Sequence, residues 1–264
     1  MIKVLSSMSL WMVAVILNAW MIGFTLLCLW VVRRWVMPRL RVSDREDALF
    51  FGAAVMQSAI VFYGLVAALT AVSVWSRHAH AGDAASAEAT SIAILWRNLD
   101  AYPQVEREAL QTMLRDYTEQ IIGPAWAAQP AGQVPTEGVQ RMDQLQSRLF
   151  AFEPSSEGEK AVHGVTLTSY NRLIEARRQR LDTVRAALPQ VMWWVLIPGA
   201  MGCLLLAALF PVKDVRFQTI LVVGLSGFVA MVLFVIVTLD YPFQGPMAIG
   251  AGPYELVHAQ LMAR

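Results

Sequence analysis

Four groups of residues have types and spacings that could do chemistry. His78 and His80, in the run His78-Ala79-His80, and His163 are the histidines lying between residues 76 and 190. A structural metal site needs about four ligands converging on one point, and imidazoles two residues apart do not share a helix face. No cysteine or carboxylate stands at ligand spacing, so His78 and His80 read as part of a flexible, solvated connector. Glu88, Glu106, Glu108, Asp116 and Glu119 could supply paired carboxylates for general acid–base work, which requires two of them held around one reacting group. Spread along amphipathic segments, they read instead as solvated residues with i,i+4 partners. The third group is Arg177-Arg178-Gln179-Arg180, just ahead of an apolar run. Arg177, Arg178 and Arg180 there are candidate contacts for an anion or a lipid headgroup, and plain interfacial anchoring is the competing reading. The fourth is Asp240, a single acid at the end of the last apolar run. No G-x-S-x-G, Gly-rich phosphate loop or H-E-x-x-H occurs, so neither an enzyme nor a cofactor is expected.

The elements that must carry these residues follow from composition. Of 264 residues, 56% are hydrophobic and 16% are charged, against roughly 25% charged in a soluble domain. The apolar excess is gathered into blocks, and a membrane-crossing helix needs about 20 such residues. Four stretches qualify: 10–32, 49–75, 191–210 and 217–239. None contains an ionisable acid, base or histidine, which argues against a proton relay or ion-coupled transporter and leaves a pore open. Gly52, Gly64, Gly199, Gly202, Gly224 and Gly227 offer small faces for close helix packing. Cys28 and Cys203 lie inside apolar runs and read as small buried hydrophobes. A formal charge of +1 gives no reason to expect nucleic acid.

Direction follows from the short loops. Arg33, Arg34, Arg39, Arg41 and Arg45 follow the first span, Lys213 and Arg216 lie between the third and fourth, and the N-terminal flank has Lys3. The positive-inside rule places both short loops in the cytoplasm and sends both termini and segment 76–190 outside.

Segment 76–190 has helical periodicity. Leu110, Leu114, Tyr117 and Ile121 form one apolar series; Met142, Leu145, Leu149 and Phe152 a second; Val162, Val165, Ser169, Leu173 and Ala176 a third. Pro103 reads as a helix start, while Gly123-Pro124 and 129–135 read as breaks. The last helix is expected from near Ser156 to Leu188, feeding the third span. The fold class is therefore all-α: a polytopic membrane protein with four transmembrane helices and a helical bundle inserted between spans two and three, followed by a C-terminal tail over 240–264. In that tail Asp240 marks the water boundary, Pro242 ends the helix, and Tyr241 and Phe243 lie at the interface or tuck against the bundle.

Several pieces occur together and in order: Glu88-Ala89, Leu114-Arg115-Asp116-Tyr117 with Trp126, Arg177-Arg178-x-Arg180-Leu181, Leu188-Pro189 with Trp193 and Trp194, and Asp240-x-Pro242-Phe243-x-Gly245. Together they resemble a widespread bacterial family of four-span membrane proteins with a bestrophin-like domain. Ala125 stands where the family usually has an acid before the tryptophan. The resemblance implies family-motif roles for Glu88, Tyr117, Trp126, Pro189, Asp240, Pro242, Phe243 and Gly245. It also implies a multi-pass protein of the bacterial inner membrane, surrounded by lipid, homo-oligomeric and anion-conducting. Bestrophins keep their inter-span helical region in the cytoplasm, whereas the charge count here puts it outside. The alternative is a non-catalytic interaction protein whose helical domain binds a partner or lipid.

Overall fold

A computed structural model describes residues 9–39, 45–129, 136–184, 187–210, 212, 214–245 and 247–263. Lys3, Arg41, Lys213, Arg185 and the 130–135 part of the expected break lie outside the described residues. Every regular element among those described is helical. In chain order they are α1 (Leu10–Val31), α2 (Arg45–Leu99), α3 (Gln104–Gln120), α4 (Trp126–Ala128), α5 (Glu137–Ala151), α6 (Glu157–Val184), α7 (Gln190–Leu209), α8 (Val215–Leu239) and α9 (Gly252–Val257). Wider π-type turns, Val32–Val36, Ile121–Ala125 and His258–Met262, extend α1, α3 and α9. The chain divides into two compact units, one of Met1–Ser76 with Ala187–Asp240, the other of Arg77–Ala186 with the chain from Tyr241 onward.

The first unit is the membrane unit. Four helices among the described residues are long and apolar enough to cross a bilayer, and the chain is an all-α polytopic membrane protein. Its interior is a dry seam of Met21, Ala67, Leu196, Ala200, Leu204, Ala230, Leu233 and Ile236. The outer faces carry large apolar side chains, including Phe62, Leu69, Trp75, Trp194, Ile220 and Phe228. In lipid such a surface is favourable, because hydrocarbon solvates it as well as a protein core would. Trp11 and Trp194, both strongly exposed near helix ends, suit the interfacial belt. At α8 the Asp214 side chain accepts from the amides of Arg216 and Phe217 at 2.9 and 3.3 Å, satisfying donors that a helix start leaves open. Arg33 donates to the Val212 carbonyl at 3.3 Å and to the Gln218 side chain. The two short loops therefore sit at one end of this unit.

The second unit has a core of Ile92, Leu95, Leu99, Leu110, Leu114, Tyr117, Met142, Leu145, Leu149, Tyr170 and Leu173, closed by Tyr254 and Met262. The apolar series read from α3 and α5 point inward as their spacing dictates. On α6 the register differs: Val165 is exposed, and Thr166, Ser169, Tyr170, Leu173, Ala176 and Arg180 form the buried stripe.

Three boundaries differ from the sequence expectation. Helix α2 does not end near residue 75 but runs unbroken to Leu99, so His78 and His80 are helical rather than in a flexible connector. The alanines at 79, 81, 84, 85, 87 and 89 explain this, being the strongest helix formers and outweighing Gly82. Gly123-Pro124 is not a break, because the π-type turn over Ile121–Ala125 accommodates a proline within a helical run. The helix expected to reach Leu188 is over by Ala187, and Pro189 biases Leu188 away from helix. The chain from Tyr241 onward belongs to the second unit, where Phe243 tucks in and Tyr254 and Met262 are buried with it.

Candidate functional site

Helices bury one stripe, and in the second unit three such stripes each carry a polar residue at a core position. On α2, Glu88 follows Ala85 by three residues and precedes Ile92 by four, so it shares their inward face and is fully buried. Tyr117 holds the third position of the α3 stripe and Arg180 the continuation of the α6 stripe. A fourth group, Tyr254, comes from α9, whose first turn is set by Pro253.

These four meet. Tyr117 donates its hydroxyl to Glu88 Oε1 at 2.6 Å, and Tyr254 donates to Glu88 Oε2 at 2.8 Å. Arg180 donates Nε to the same Oε2, forming an ion pair with side-chain exposures of 3% and 0%. The Arg180 guanidinium lies over the Trp126 ring, with Cζ 5.7 Å from the ring centre, and over the Tyr254 ring at 6.0 Å. Such cation–π contacts partly replace the hydration a buried arginine has lost.

Trp126 is held in turn by the segment that follows Asp240. Its indole N–H donates to the Ile249 carbonyl at 3.1 Å, and Phe243 meets it edge-on at 5.6 Å between ring centres and 83° between planes. That loop closes on itself: the Ile249 amide donates to the Pro242 carbonyl at 2.8 Å and the Ala248 amide to the Gly245 carbonyl at 3.1 Å. Gly245 has φ of 78°, a left-handed conformation that glycine adopts without steric cost. Pro246 lies outside the described residues.

Burial and the neighbouring charges set the electrostatics of the cluster. Burial and then the Glu88 carboxylate push the phenols of Tyr117 and Tyr254 well above their usual range, despite opposing pull from Arg180. Burial pulls the pKa of the Arg180 guanidinium down, but the Glu88 carboxylate outweighs it and the net shift is upward. Both carboxylate oxygens are occupied and both phenols keep their protons near neutrality.

In the membrane unit, Asp240 caps the end of α8 and is 2% exposed. Its Oδ1 accepts the Leu188 amide at 2.7 Å, one residue ahead of Pro189, the residue that caps the start of α7. Asp240 is thus a buried acceptor for an amide that would otherwise be stranded, rather than an acid at a water boundary.

Glu106 receives a two-point contact from Arg148 at 3.0 and 3.1 Å, Asp116 pairs with Arg141 at 3.7 Å, and Glu119 meets His258 at 3.1 Å. These are half-exposed surface pairs; Glu88 is the one the solvated reading misplaces, because its helix face is buried. Arg178 is exposed and Arg177 half-buried, but Arg180 is not presented to headgroups. His163 Nδ1 lies 2.7 Å from the Tyr102 hydroxyl, and burial lowers the pKa of His78. Trp96, at the core edge, takes the Arg115 guanidinium at 5.6 Å. An open groove of about 900 Å³ is lined by Glu106, Met113, Asp143, Arg148, Phe152 and Glu153, among others. Tyr254 was not anticipated at all, since its only local signal is a Gly-Pro helix start. Glu88 was detectable, because a charge at i+3 and i−4 to apolar residues on a helix is a mismatch with its stripe.

A family model described as a Bestrophin-like domain matches residues 19–254, a span that contains every residue of the buried cluster. No curated protein and no solved structure matches the chain.

Proposed function

Because the chain belongs to the bestrophin-like family, we propose that it forms a homo-oligomeric, anion-conducting pore. The observation that carries this beyond family membership is the packing of the membrane unit. Within one copy, the seam between the spanning helices is filled by the apolar side chains of Met21, Leu196, Ala200, Leu204 and Leu233. A conducting path therefore runs between copies, and the uncovered apolar face of α2 through Phe62, Leu65 and Leu69 supplies surface for contact with them or with lipid.

The end bearing Arg33, Arg34 and Arg39 faces the cytoplasm of a bacterial inner membrane, and the helical segment 76–190 and both termini face outward. The protein is not an enzyme and needs no cofactor: Glu88 serves as a structural acceptor, and its partners are lipid and further copies of the chain. Purified protein in liposomes is expected to pass anions in preference to cations, with subunit number read by single-molecule photobleaching. A well-folded oligomer that stays silent across anions and voltages would remove the pore; a monomer in native lipid would remove the assembly.

One observation favours a second reading, that the helical unit is a docking module. The groove between Glu106, Asp143 and Phe152 is open and mixed in character, as partner-binding surfaces are. In-cell crosslinking from position 144 that recovers a different protein would support it, and recovery of self-contacts alone would count against it.

A further inference from the structure

We propose that the outer surface at the end of α1 binds one anionic phospholipid, its phosphate held by Arg34 and Arg39 and its hydrocarbon lying along Trp30 and Leu27. The apolar helix Leu10–Val36 ends here, so these arginines stand where a bilayer passes from hydrocarbon to headgroup. The wider turn over Val32–Val36 is closed by the Met37 amide on the Val32 carbonyl at 2.8 Å. Two arginines leave this turn in different directions. Arg33 turns inward to the Val212 carbonyl and the Gln218 side chain, whereas Arg34 stays exposed.

Arg39 is held in place for a ligand. Its Nη1 donates to the Trp35 carbonyl at 2.8 Å, and its guanidinium lies over the Trp35 ring, with Cζ 5.5 Å from the ring centre. The two contacts restrain the guanidinium and leave its other N–H groups for an acceptor. Among the described residues neither Arg34 nor Arg39 makes an ion pair. Trp30 and Leu27, both more than half exposed, precede Arg34 by four and seven residues and so share its face. The surface thus runs from guanidinium through indole to aliphatic carbon, the order in which a phospholipid presents phosphate, interface and chain.

Charge selects the class of lipid. The two short connections at this end, residues 33–47 and 213–216, hold seven basic side chains against four acidic ones, Asp44, Glu46, Asp47 and Asp214. Asp214 is already engaged by the Arg216 and Phe217 amides. The formal excess of positive charge favours a headgroup of net negative charge, whereas a zwitterionic lipid brings its own ammonium and gains less. Arginine forks also match phosphate oxygens in two-point contacts.

The test uses the purified full chain in neutral detergent, titrated with phosphatidylglycerol or phosphatidylcholine at fixed ionic strength, with thermal unfolding as the readout. The wild type is expected to show a saturable rise in Tm with phosphatidylglycerol and a much smaller one with phosphatidylcholine. Arg34→Gln/Arg39→Gln is expected to weaken the apparent affinity about thirtyfold, for two charges near a surface. Arg178→Gln, in the helical unit, is expected to leave it unchanged. Arginines beside a span also bias its insertion, so two variants that keep both charges stand in if the glutamine variant does not fold. These are Arg34→Lys/Arg39→Lys and Trp35→Leu, each expected to weaken binding several-fold by removing the forks or the ring beneath one of them. Equal responses to the two lipids overturn the proposal, as does inorganic phosphate reproducing the rise by itself, the mark of a site for a free anion. An affinity unchanged in the glutamine variant, or in both stand-ins where that variant does not fold, overturns it too. So does an equal loss in Arg178→Gln. The result does not rest on conduction: a protein silent in bilayers would still show the shift.

Discussion

Removing the charge of Glu88 should cost far more than removing any other carboxylate in the helical unit. Glu88→Gln preserves size and one carbonyl acceptor, so Tyr117 and Tyr254 can still be partnered by rotating their hydroxyls. What it removes is the counter-charge of Arg180, which is 3% exposed and lies against Trp126 and Tyr254. Breaking a buried pair from one side costs about 3–5 kcal/mol, because the remaining ion stays desolvated. The comparison is Glu106→Gln, whose partner Arg148 is 39% exposed at the side chain and can be rehydrated; that variant should cost about 0–1 kcal/mol. The double variant Glu88→Gln/Arg180→Met removes the stranded charge, and should recover most of the loss apart from the weakened phenol contacts, about 1 kcal/mol each. The measurement is denaturant unfolding in mixed micelles, followed by tryptophan fluorescence, with hydrogen exchange locating the loss to the second unit. A Glu88→Gln cost below about 1 kcal/mol, or a double variant no better than the single, would refute the view that a desolvated ion pair holds these four elements together.

Alkaline titration offers a second test. Burial raises the pKa of Tyr117 and Tyr254 above 10 in the folded state and that of Tyr170 to about 12. Folded pKa values above the unfolded one mean the native state binds more protons above pH 10, so stability is flat below that pH and falls above it; Tyr254→Phe should make the fall shallower. Asp240→Ala should destabilise the membrane unit by about 1–3 kcal/mol by stranding the Leu188 amide, and Asp240→Asn should recover much of it, because Oδ1 still accepts. Gly199→Ala places a methyl 2.9 Å from Tyr63 Cδ2, and should cost about 1–3 kcal/mol through forced repacking. Combining it with Tyr63→Ala should remove the clash, and equal losses with and without the tyrosine would count against it.

The membrane helices were legible from composition, because a bilayer demands about 20 apolar residues and tolerates little else. The inward stripes of α3 and α5 were legible for a similar reason: Leu110, Leu114 and Tyr117, or Met142, Leu145 and Leu149, carry the period of the helix in their types. Local chemistry was also enough to end the last span near Asp240 and to turn the chain at Pro242 and Gly245. What local pattern could not reveal was continuity and partnership. The stretch after Trp75 loses the apolar character of the span without breaking the helix, because its alanines keep α2 continuous to Leu99. Glu88, Tyr117, Arg180 and Tyr254 are separated in sequence by up to 166 residues, and no period links them. A buried charge is tolerable only where its counter-charge and donors arrive from other elements, so its role is fixed by tertiary structure and not by its neighbours in the chain. The types and spacings along the chain determined which segments are helical and which faces are apolar. The assembled fold decided which polar side chains would meet, because desolvation makes an unpaired charge intolerable in the core while leaving the same charge unremarkable on a surface.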